Sequence, residues 1–99
     1  MLKIRLTQAA EQHIEDIWLY TLNEWSEVQA SQYVSMIEQG ITQLLDNPYI
    51  GKARSEIKKD LRSLQIQKHL IFYRVGPEYI DIIGIFHSRM DTGKWLDEK

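Results

Sequence analysis

Residues 7–48 read TQAAEQHIEDIWLYTLNEWSEVQASQYVSMIEQGITQLLDNP, and this stretch decides the fold. Ala10, Ile14, Ile17, Trp18, Leu22 and Trp25 recur at spacings of three and four, which gathers them into one stripe of an α-helix. Glu11, Glu15 and Asn23 fall on the opposite face. Thr7 stands where an N-cap hydroxyl accepts an open backbone N–H of the first turn, predicting a helix over about residues 8–24. Ser26-Glu27-Val28-Gln29 then forms a capping box, in which the serine hydroxyl and the glutamine side chain each satisfy a free N–H. Ala30, Tyr33, Val34, Ile37, Ile41, Leu44 and Leu45 hold the helical period for about four turns. Asn47-Pro48 ends it, because proline disfavours helical geometry in the residue before it. So short a link predicts an antiparallel helical hairpin over about residues 8–46.

Strands flank the hairpin. Leu2, Ile4 and Leu6 alternate with Lys3 and Arg5, the period-2 signature of a half-buried strand. After a polar connection from Asn47 to Asp60, strands are expected over Leu61–Ile66, His69–Val75 and Tyr79–Phe86, with Gly76-Pro77-Glu78 as a turn. The fold class is therefore α+β with the order β-α-α-β-β-β: a helical hairpin against a small, mainly antiparallel curved sheet. The last three strands form a meander over about 61–87, and residues 88–99 form a tail. Both alternating sets of the last two strands are apolar. Ile80, Ile82 and Phe86 are expected on one side and Ile83 and Ile85 on the other; Ile71, Tyr73 and Val75 oppose Leu70 and Phe72. Such strands expect cover on both faces. The hairpin covers one; a tail bearing Met90, Trp95 and Leu96 covers part of the other, or an apolar groove is left for a partner.

At 99 residues the chain is expected to be one domain. It has no cysteine, which excludes a disulfide scaffold and thiolate metal sites. Its apolar runs are too short to span a membrane, and a strand starting at Leu2 is expected to leave no room for a signal peptide, so a cytoplasmic location is expected. The net charge of −2 hides a division: residues 1–47 carry two cations against seven carboxylates, whereas residues 51–76 carry seven cations against two. The second segment is either a solvated basic face or an attractor of polyanions or an acidic partner.

Few chemistries survive inspection. His13, His69 and His87 lack the paired spacing of a metal motif, and the five glycines are isolated rather than grouped in a phosphate loop, so no metal or cofactor is expected. Metal-free RNA cleavage remains open, since it needs an acid, a base and cations: Lys58, Lys59, Arg62, Arg74 and Arg89 could supply charge, and His87 could move protons. Trp18 belongs to the inner stripe. Trp25, beside the capped turn, is either a lid on the hairpin end or an exposed binding anchor.

The order of elements, the turn Asn47-Pro48-Tyr49-Ile50-Gly51, the basic stretch to Arg62, the strand Leu70-Ile71-Phe72-Tyr73-Arg74 and the segment Ile85-Phe86-His87-Ser88-Arg89-Met90-Asp91 together resemble the RelE/ParE toxin superfamily. His-x-Arg-Met-Asp at that place, with Trp25 after the first helix, is similar to the ParE branch. The resemblance implies a type II toxin–antitoxin toxin, bound by a ParD-like antitoxin in a hetero-oligomer. ParE-like members poison DNA gyrase, whereas RelE-like members cleave ribosome-bound mRNA. For the gyrase reading it points to Trp25, Arg54, His87, Arg89, Met90 and Asp91 as target contacts and to no catalytic residue. For the antitoxin it points to Tyr33, Ile37, Phe72 and Arg74 on the exposed side of helices and sheet. For the ribonuclease alternative it points to Arg62, His87 and Arg89. The gyrase reading is preferred, because no tyrosine follows the last strand where ribonucleases commonly carry one.

Overall fold

The structure, a computed structural model, describes residues 1–89. Strand β1 (Lys3–Leu6) leads into helices α1 (Gln8–Glu24) and α2 (Glu27–Gln43), followed by strands β2 (Lys52–Ala53), β3 (Arg62–Ile66), β4 (His69–Val75) and β5 (Tyr79–His87). The sheet order is β1-β5-β4-β3-β2, with β1 parallel to β5 and every other pair antiparallel.

Local chemistry sets the helix starts. Thr7 Oγ1 accepts the Ala10 N–H at 3.1 Å and donates to the Ile83 carbonyl at 2.9 Å, so one hydroxyl caps α1 and ties it to β5. Ser26 Oγ accepts the Gln29 N–H at 3.1 Å as the capping box requires. The other half of the box differs: the Gln29 side chain accepts from the serine hydroxyl at 3.4 Å instead of meeting the Ser26 N–H. Only Trp25 and Ser26 separate the helices, which pack side by side as a hairpin. Two-residue β2, within the expected loop, pairs with Arg62 and Ser63.

One core lies between hairpin and sheet. It joins Ala10, Ile17, Ile37, Ile41 and Leu44 of the helical segment to Ile71, Tyr73, Ile80, Ile82 and Ile85 of the strands. A smaller cluster of Leu61, Phe72 and Phe86 forms on the opposite sheet face, with Ile57, Leu70 and Ile83 packed against it. The segment before β3 thus supplies part of the second cover through Ile57 and Leu61, a role the sequence reading did not assign to it. The proposed cover from Met90, Trp95 and Leu96 lies outside the described residues.

The expected faces of β5 need correction. Tyr73 pairs with Ile82 while Phe72 pairs with Gly84, so Ile83 is an extra residue, a β-bulge. The bulge shifts the alternation by one: Ile80, Ile82 and Ile85 share the hairpin face, and Phe86 turns to the other face beside Phe72. It also moves the register. Pairing continued unbroken from Val75–Ile80 would set His69 against Phe86; in the structure His69 faces His87.

Candidate functional site

Ile37 and Phe72, read from the sequence as exposed antitoxin contacts, are both only 1% exposed. Ile37 lies on the hairpin's inner stripe and Phe72 lies under Ile57 and Leu61, so both are core side chains. Of that group, Tyr33 is half-buried and Arg74 is exposed on β4. Trp25 resolves the other way: at 68% exposed it is no lid. Leu19, Tyr20 and Val28, close to this turn in sequence, are exposed as well.

The basic segment is anchored. Arg62 donates to the Gly51 carbonyl at 2.8 Å and, at 3.4 Å, to that of Tyr49, whose ring its guanidinium overlies at 4.9 Å. Arg54 donates from Nε to Ser63 Oγ at 2.8 Å and pairs with Glu56 at 3.5 Å. Beneath them, the Tyr73 hydroxyl donates to the Pro48 carbonyl at 2.8 Å and accepts the Gly51 N–H at 2.9 Å; burial pushes this phenol's pKa up, opposed by the Gly51 N–H and Arg62. Arg54 and Arg62 thus pin the 47–51 turn and the entry to β3, alongside any role toward a partner.

A different cluster forms at the far end of the sheet. The Tyr33 hydroxyl lies 2.6 Å from His69 Nδ1 and accepts the Lys68 N–H at 3.2 Å. The His69 and His87 rings stand edge to face with centroids 5.4 Å apart. His87 Nδ1 accepts the Arg89 N–H at 3.2 Å, and the Ser88 N–H donates to the Lys68 carbonyl at 2.8 Å. Burial, and secondarily the neighbouring His87, lowers the His69 pKa to about 4, so this ring is neutral near pH 7. The adjoining turn carries Gln67 at φ 54°, a left-handed conformation seldom taken by a residue with a side chain.

Two ends of the molecule are therefore distinct. Arg62 lies opposite Tyr73, four residues from His69 along β4, or about 13 Å. Helix α1 runs in the sense of β5, since Thr7 bonds Ile82 and Ile83 while the Ile85 N–H donates to His13 Nδ1 at 3.1 Å. Trp25 lies twelve residues beyond His13, about 18 Å further on. It therefore shares an end with His69, His87 and Arg89, and Arg54 and Arg62 do not belong to that group. Met90 and Asp91 lie outside the described residues. Sequence reasoning missed Tyr33 as a partner of the strand end: the phenol absent after β5 is brought there from α2.

No group of three or more His, Asp or Glu among the described residues could hold a metal, and no helix among them is long and apolar enough to cross a membrane. What the fold and this end define is a small α+β domain with an exposed aromatic residue at the turn of its helical hairpin. Residues 4–92 match the family described as "ParE toxin of type II toxin-antitoxin system, parDE", and the chain belongs to that family. It is 39% identical over 92 residues to Toxin ParE1 of Mycobacterium tuberculosis, covering 92% of this chain and 94% of that one. Toxin ParE of Escherichia coli is 34% identical over 88 residues, with 87% and 84% covered. A solved structure titled "Chromosomal ParDE TA system from P. aeruginosa" matches the fold with a TM-score of 0.78 at 19% identity, covering 88% of this chain and 96% of that one.

Proposed function

We propose that this toxin inhibits DNA gyrase and so blocks replication, and that a ParD-like antitoxin neutralises it by binding along the hairpin and sheet. Family membership supports the toxin class, and the similar fold of a chain from a ParDE system supports the partnership. The observation that carries the target is Trp25, 68% exposed at the turn between the helices and toward the same end as His87: a large exposed aromatic suits protein docking. Arg74 and the accessible edge of Tyr33 remain as the antitoxin contacts, now without Ile37 and Phe72. The test is gyrase supercoiling and DNA cleavage with purified, antitoxin-free toxin. Lost supercoiling with accumulated linear DNA supports the reading; an unchanged reaction, from protein that arrests growth, rejects it.

A RelE-like, ribosome-dependent ribonuclease is the second reading, and the Tyr33–His69–His87 cluster is the observation in its favour. Against it, Arg62 lies some way from that cluster and is occupied by the Gly51 carbonyl. If mRNA on ribosomes is cut, and the cutting is lost in His87→Ala with the fold intact, this reading replaces the first.

A further inference from the structure

Strand β1 pairs with β5 only as far as Leu6 and Ile82. Beyond that point, the edge of β5 that faces away from β4 meets side chains of the helical segment instead of a strand. Thr7 Oγ1 donates to the Ile83 carbonyl at 2.9 Å, and the Ile85 N–H donates to His13 Nδ1 at 3.1 Å. Gly84, between those two strand residues, makes room for the second bond. A Cβ there would stand 3.2 Å from His13 Cε1 and 2.7 Å from Phe86 Cε2. The His13 ring also lies against the Phe86 ring, with centroids 4.7 Å apart.

A backbone N–H can only donate, so His13 Nδ1 presents a lone pair and the neutral ring keeps its proton on Nε2. Protonating the ring puts a second donor on Nδ1, facing the Ile85 N–H, and the bond is lost. Burial lowers the His13 pKa below the ordinary 6.5, against a smaller opposing effect of Asp16 on the same helix. From β5, Gly84, Ile85 and Phe86 meet the ring, and none of them ionises. The bond is therefore in place near pH 7 and is lost as pH falls below 6.5 and the ring takes up its proton.

We propose that His13 is a positioning residue: its neutral ring clasps α1 to the bulged edge of β5, and protonation opens the clasp. The elements it joins run on to Trp25 and to His87, so the clasp sets the helix that leads to one against the strand that ends in the other. Thr7 holds the start of this contact, and Ala10 and Ile17 share a core with Ile80 and Ile82. The fold therefore survives an open clasp. What loosens is the end of the strand, from Ile85 to His87, where opening need not spread to the rest of the sheet. The clasp is a property of the chain alone, so its test involves no gyrase and stands whichever macromolecule the toxin poisons.

The experiment is NMR of the full chain between about pH 7.5 and about pH 5, reading the imidazole ¹⁵N shifts of His13 and the hydrogen-exchange protection of the Ile85 amide. Expected is an Nε2–H tautomer at neutral pH. Ile85 protection should fall about three- to tenfold as the ring takes up its proton, with the two midpoints coinciding. His13→Asn sets an amide oxygen near the place of Nδ1 and does not titrate, so Ile85 protection should vary by less than about twofold over the same range. That variant keeps His69 and His87, which separates the clasp from their titration. His13→Phe keeps a ring beside Phe86 but no acceptor, so its Ile85 amide should be poorly protected at every pH. Where that variant does not fold, wild type against His13→Asn decides. The proposal is overturned by an Nδ1–H tautomer, by Ile85 protection that stays constant while His13 titrates, by the wild-type pH dependence persisting in His13→Asn, or by wild-type protection in folded His13→Phe.

Discussion

Tyr73 shows how one hydroxyl can hold a turn. It is fully buried, donates to Pro48 and accepts from Gly51, so Tyr73→Phe leaves a carbonyl and an N–H unsatisfied at once. The expected loss is about 1–3 kcal/mol, measured by urea unfolding. Gly51→Ala should act on the same point, since its Cβ would lie 2.5 Å from Tyr73 Oη and 2.8 Å from the Ser63 carbonyl. His69 gives the pH prediction. Its folded pKa of about 4 lies below the ordinary 6.5, so the unfolded chain binds the proton more readily. The stability this ring contributes is complete above about pH 6.5 and is lost as pH falls from there toward 4. A full shift of this size corresponds to about 3 kcal/mol, which solvent screening of a partly exposed ring reduces to about 1–2 kcal/mol. An NMR titration of the His69 ring should show a midpoint near 4, moving upward in His87→Gln as the neighbouring imidazole's charge is removed.

At the scale of elements, the hairpin was legible because its signals are local. Thr7, Ser26 and Asn47-Pro48 punctuate two runs of period 3.6; both helices begin directly after their caps, while α2 ends at Gln43, three residues short of the expected 46, and Leu44–Asp46 continue as a turn. Thr7→Ala should cost about 1–2 kcal/mol in thermal or urea unfolding, more than an ordinary cap, because it also frees the Ile83 carbonyl. The strands were legible as segments but not in phase. One bulged residue, Ile83, reverses the faces of Ile85 and Phe86 and brings His87 opposite His69. Gly84 was the available hint, as a lone glycine inside a strand often marks a bulge. Ile37 shows the other limit: a helix's apolar stripe does not say whether this chain or a partner covers it. Its burial predicts a loss of about 2–5 kcal/mol in Ile37→Ala, which a residue reserved for an antitoxin would not show in the free toxin.

Across the whole molecule, the fold separates what the sequence places in one list. Arg54 and Arg62 brace the 47–51 turn, whereas Trp25 and the histidine pair share the opposite end. This division was not legible, because distance along a chain gives no side-chain orientation; Tyr33 reaches His69 across 36 positions. The uneven charge has the same lesson: the basic run from Gly51 to Gly76 was visible, but not that Arg62 in it holds backbone carbonyls and Arg54 a serine hydroxyl. The central claim is that toxicity is docking through the exposed tip, and Trp25→Ala tests it most directly. Its unfolding free energy should stay within about 0.5 kcal/mol of wild type, as expected for a residue 68% exposed. In a gyrase supercoiling and cleavage assay, wild-type toxin should abolish supercoiling and accumulate linear DNA, while folded Trp25→Ala should do neither at the same concentration. Equal inhibition by both proteins would contradict the account.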